Sequence, residues 1–112
     1  MGSRMLASVS QWRLAETIRE PGTFREFIQS TLGKHVAILR DHGLLDIVVV
    51  RIADDVMLAV TIYEDEAEGQ AGWTASQIAF RDDLHGKLEF IERSAGPAFD
   101  LPQLLDETSR KS

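Results

Sequence analysis

At 112 residues, with 44% hydrophobic and 27% charged residues, the chain can form one domain that buries roughly two thirds of its unfolded surface, and it is too short for two. The lack of cysteine excludes disulfides, thiolate nucleophiles and cysteine-based metal sites. A net charge of −6 argues against nucleic acid as a partner, because binding phosphates needs a concentrated basic surface. No window approaches the roughly 18 apolar residues of a membrane span, and no apolar signal-peptide core opens the chain, so the expected compartment is the cytoplasm.

Ser8 to Arg19 alternates in part and is predicted to be a strand, with Trp12, Leu14 and Ile18 on one side and Val9, Gln11, Arg13, Ala15 and Thr17 on the other. Pro21-Gly22 breaks it. Thr23 and Glu26 form a capping box, and Phe24, Phe27, Ile28, Leu32, Val36 and Leu39 recur at helical spacing as far as His42, where Gly43 is placed to stop the helix. Leu44 to Asp65 then carries two strongly apolar runs hinged at Asp54-Asp55. Paired as an antiparallel hairpin, they set Arg51 opposite Leu58, Val49 opposite Val60 and Ile47 opposite Ile62 on an aliphatic face. The other, mixed face carries Ile52 with Met57, Val50 with Ala59, Val48 with Thr61 and Asp46 with Tyr63. A slip of one residue would exchange the two faces.

Glu64-Asp65-Glu66 puts negative charge where a second helix begins. Ala67, Ala71, Ala75 and Ile78 form one stripe of it, and Trp73, Phe80 and Leu84 lie nearly opposite. Either this helix is buried on both sides, or it breaks near Gly72 and restarts at Thr74, which is the preferred expectation. Lys87 to Arg93 is the fourth predicted strand, with Leu88, Phe90 and Glu92 on one side, and residues 94–97 form a turn. Asp100 could cap a last short helical turn within an apolar arm of Phe99, Leu101, Leu104 and Leu105, and the tail is expected to fray after Glu107. The domain is therefore expected over residues 8–94, followed by an arm and tail over 95–112.

Strand, helix, strand, strand, helix, strand is the split βαβ, or ferredoxin-like, order. It predicts an α+β fold in which right-handed crossovers place both helices on one face of a four-stranded antiparallel sheet. The aliphatic face is expected under those helices. The mixed face is then left bare, which costs several kcal/mol in water and is relieved by a second copy packed against it.

In WRLAETI leading to a capped helix, the hairpin LLDIVVVRIADDVMLAVTIYEDEAE and the strand LEFIER, the chain resembles the dimeric α/β-barrel superfamily that includes the antibiotic biosynthesis monooxygenases. The resemblance spans roughly Ser8 to Ser94. It implies a homodimer through the mixed sheet face, with two sheets closing into a barrel. It further implies a cofactor-independent, monooxygenase-like activity on a small aromatic or polyketide-like molecule held between sheet and helices. The alternative is a non-enzymatic ligand-binding or interaction domain on the same dimer, since this fold hosts many reactions and some members without one.

Such pockets orient their ligands with Trp, Asn, His, Arg or Tyr side chains, and the candidate matches here are Trp12, Arg13, Tyr63, Trp73 and His85. Each also has a plainer role. Arg13 would clamp a carboxylate or phenolate, or pair with an acid of a partner subunit. Trp12 would pack under a helix, Tyr63 would satisfy its hydroxyl at a rim, Trp73 would be a lid or a plug, and His85 would sit on a helix dipole. The chain contains no asparagine, so the Asn-Trp-His set of the haem-degrading relatives is missing and no catalytic residue is assigned. No cofactor or metal is expected: His35 and His42 lie two helical turns, about 10 Å, apart, too far to hold one ion.

Overall fold

The computed structural model describes residues 5–111, without the side chains at positions 79, 80 and 107–111. β1 (Leu6–Leu14) buries every second residue, from Leu6 through Ser8, Ser10 and Trp12 to Leu14, the period-2 pattern of a strand covered on one face. It ends sooner than its alternation suggests, because Glu16–Ile18 closes into a 3₁₀ turn that drops Ile18 into the core. The first helical segment starts at Pro21, with Glu20 as N-cap and no side-chain cap, so Thr23 lies inside it. Proline suits this first position because its missing N–H would be unpaired there anyway. α1 (Pro21–Phe27) continues through a π-helical turn, Ile28–Leu32, into α2 (Gly33–Asp41). Gly43, at φ 78°, then takes the left-handed conformation that ends the helix, as its position in the sequence predicts.

β2 (Leu44–Ala53) and β3 (Val56–Tyr63) form the expected hairpin around Asp54-Asp55, but its register differs from the predicted one. An irregularity between Arg51 and Ala53 leaves Ile52 unpaired and shifts the ladder, so that Arg51 faces Met57, Val49 faces Ala59 and Ile47 faces Thr61. The β2 half of the expected faces holds, with Ile47 and Val49 under the helices and Val48, Val50 and Ile52 bare. The β3 half is exchanged: Met57, Ala59, Thr61 and Tyr63 lie under the helices, and Leu58, Val60 and Ile62 alternate to the other face. One extra residue in one strand is enough to do this.

α3 (Glu66–Leu84) is continuous through Gly72, contrary to the expected break. Asp65 caps it, its Oδ1 accepting the Glu68 N–H at 2.8 Å. The stripe through Trp73 and Leu84 faces the sheet, whereas Ala67, Ala71 and Ile78 are exposed; Phe80 lies outside the described side chains. Glycine is required where α3 crosses β3, since a Cβ on Gly72 would stand 2.9 Å from Tyr63 Cε1. β4 (Leu88–Pro97) runs on through the segment expected to turn, and α4 (Leu101–Lys111) is a helix of 11 residues rather than a single turn.

The sheet order is β2-β3-β1-β4, antiparallel throughout, with α1, α2 and α3 packed on its inner face. Two apolar clusters fill the space between. One gathers Trp12, Leu14, Ile18, Phe27, Met57 and Leu84, and the other Leu6, Leu39, Leu44 and Tyr63. His35, buried on α2, meets Asp83 of α3 at 2.9 Å and ties the two helices together.

Candidate functional site

Between the two clusters lies a cavity of about 390 Å³, walled by α2, α3 and the inner sheet face. Its origin is visible in residue size. The middle of the sheet presents only Ser8, Ser10, Ala59 and Thr61, while Trp12, Met57 and Tyr63 stand around them, so helices held off by the large residues cannot touch the small ones. The volume falls within the roughly 300–1,000 Å³ typical of ligand sites, and the lining follows the usual pattern of apolar walls with few polar groups.

Three of the five predicted residues meet here. Trp12 and Trp73 line the cavity with ring centroids 6.4 Å apart, and Phe90 lies edge-on to Trp12 at 5.3 Å. The Trp12 indole N–H donates to Ser10 Oγ at 2.8 Å, which fixes the ring's orientation. Tyr63 is buried at the far side. Burial pushes its phenol above the ordinary value of 10, against the opposing pull of the Thr61 hydroxyl and the Arg93 charge, so it is a neutral donor near pH 7.

Arg13 and His85 are elsewhere. Arg13 alternates to the bare face with its side chain half exposed and pairs with Asp55 of its own chain at 3.5 Å. His85 is exposed past the end of α3, and both line an open cleft of about 480 Å³ together with Arg19 and Lys87, away from the cavity.

The residue missed by the alternation is Arg93. Between Phe90 and Glu92 the β1–β4 ladder shifts, so that Trp12 faces Phe90 but Ser10 faces Arg93, which turns the arginine inward in place of Glu92. Its Nε donates to Ser8 Oγ at 2.9 Å, its guanidinium lies 4.6 Å from the Trp73 ring centroid, and its Nη2 is buried without an acceptor. A partly buried cation with no carboxylate beside it among the described residues is a costly arrangement for a fold alone. The sequence signal for this site was the pair Ser8 and Ser10 on the buried side of β1, small polar residues where an ordinary core strand carries large apolar ones.

No family model and no curated protein sequence matches this chain. Solved structures do. A dimeric ferredoxin-like protein from an uncultured marine organism superposes with a TM-score of 0.67 at 15% identity, over 88% of this chain and 98% of its own. The chain has the ferredoxin-like fold of these proteins. HapK from Hahella chejuensis matches at 0.65 and 16% identity, over 84% of this chain and 92% of its own. SnoaB, a cofactor-independent oxygenase from Streptomyces nogalater, matches at 0.65 and 10% identity, over 88% and 96% respectively. Identities this low carry the fold and not the reaction. Among the described residues, no helix is long and apolar enough to cross a membrane, and no three His, Asp or Glu side chains gather as a metal set would.

Proposed function

We propose that this chain is a homodimeric, cofactor-independent, monooxygenase-like protein whose cavity holds a small aromatic or polyketide-like molecule bearing an acidic hydroxyl. The observation that carries the reading is the pairing of two cavity tryptophans with Arg93, which lies beside the cavity against Trp73 and Ser8 and has no carboxylate partner among the described residues. A planar ring packed against Trp12 and Trp73 would direct its phenolic or enolic oxygen toward Arg93. There a positive charge in a dry site favours the ionised form. The resulting carbanion-like ring can pass electrons to dioxygen. When a methylene is oxidised, one oxygen atom becomes the new carbonyl and the other leaves as water with the two hydrogens, which balances without a cofactor. The fold shared with SnoaB supports this at the level of architecture only. The dimer is supported by the exposed valines and isoleucine of β2, which need a cover, and by dimeric proteins among the similar folds.

Among the described residues no Asp, Glu, His, Lys or Arg lines the cavity itself, and Arg93 stands beside it against two residues that do, Ser8 and Trp73. Deprotonation then depends on the ligand's own acidity with help from Arg93. The same fact favours the second reading, a ligand-binding protein without turnover. Oxygen uptake with a panel of anthrone-type phenols, combined with ¹⁸O₂ labelling of the product, separates the two: label in a carbonyl supports the enzyme, whereas saturable binding without uptake across the panel supports the binder.

A further inference from the structure

Two apolar surfaces are left exposed among the described residues. One follows β2, where Val48, Val50 and Ile52 are 50%, 41% and 52% exposed. The other is the arm after β4, where Phe99, Leu101, Leu104 and Leu105 are 72%, 62%, 41% and 58% exposed. The Ala98 N–H still donates to the Met5 carbonyl at 2.9 Å, so the sheet holds the chain to that point and the arm departs from it. None of the described α4 side chains is buried, and the molecule measures 54 Å in length against 26 and 22 Å across. A helix of 11 residues standing in water is marginal, because its nucleation cost is recovered mainly by packing an apolar face.

We propose that the arm of one copy lies across the β2 margin of a second copy and that the second copy returns the contact, so that exchanged arms clasp the dimer. The inference rests on the homodimer proposed above. A two-fold dimer covers both surfaces at once with a single repeated contact. These residues offer on the order of 500 Å² from each copy, most of the roughly 800 Å² per partner found in stable interfaces. The arm carries three acids, Asp100, Asp106 and Glu107, against Arg110 and Lys111, so it lacks the basic face that would draw it to a lipid surface.

The test places p-benzoylphenylalanine at position 99 of the full-length protein and irradiates an equimolar mixture of isotopically light and heavy chains. The expected product has twice the chain mass of 12.5 kDa and joins the arm of one isotope to the Leu44–Ala53 strand of the other. Adducts confined to single chains, or to any other part of the partner, while sedimentation still reports a dimer, overturn the clasp and leave the dimer standing. Sedimentation at the mass of one chain overturns both. In parallel, the double variant Leu101→Ser with Leu105→Ser should raise the dimer Kd at least tenfold, and an unchanged Kd counts against the clasp.

Discussion

Replacing Arg93 by methionine keeps the apolar stem and removes the charge, and the structure sets opposite expectations for stability and for binding. The wild-type side chain gives one hydrogen bond to Ser8 and one cation–π contact with Trp73, about 1 kcal/mol each. Against these stands the buried Nη2 without an acceptor, which costs about 1–3 kcal/mol. The terms nearly cancel, so urea unfolding of Arg93→Met should stay within about 1 kcal/mol of wild type. Binding has no such offset. A charge-assisted hydrogen bond to an ionised ligand contributes about 1.5–3 kcal/mol, so calorimetry should show a phenolate binding roughly 10- to 150-fold more weakly. A neutral analogue of the same shape should change by less than about twofold. Equal losses for both ligands would show that the guanidinium recognises no charge, and a large loss of stability would make Arg93 a structural residue instead.

Arg13→Ala should leave ligand affinity in the cavity unchanged, because Arg13 lies on the bare face; a tenfold loss by calorimetry would place it in the site after all. Gly72→Ala should destabilise by about 1–3 kcal/mol in urea, since the new methyl meets the Tyr63 ring, and an unchanged midpoint would mean that α3 shifts freely. For Tyr63 the native phenol titrates above its unfolded value, so its contribution to stability is intact below about pH 10 and is lost as pH rises through the native value. Urea midpoints at about pH 8 and pH 11 should therefore fall further for wild type than for Tyr63→Phe, and equal falls would contradict the burial of that hydroxyl.

The order of elements was legible because it rests on features local in sequence: the alternation of Trp12 and Leu14, the helical spacing from Phe24 to Leu39, and Gly43 as a stop. The sheet irregularities at Ile52 and Ile91 were not. A bulge is a matter of which backbone groups pair across strands, and neither Ile52 nor Ile91 has a side chain that announces it. Those two residues decide which half of the hairpin faces the helices and turn Arg93 inward. Trp12, Tyr63 and Trp73 were recognisable as site candidates because aromatic residues are few here. Arg13 was placed on the correct side of its strand, but the pocket lies on the other side of the sheet. The continuity of α3 is a tertiary effect, because Gly69 and Gly72 weaken the isolated helix yet allow it to press against Leu6 and Tyr63.

Both tryptophans of the chain line the cavity, so intrinsic fluorescence reports on that space alone. Titrating the wild-type protein with an anthrone-type phenol should quench the emission saturably at one molecule per chain, and Ala59→Phe, which fills the floor, should abolish the change. Emission that does not respond, or that saturates with the same affinity in Ala59→Phe, would contradict a ligand site between the sheet and its helices.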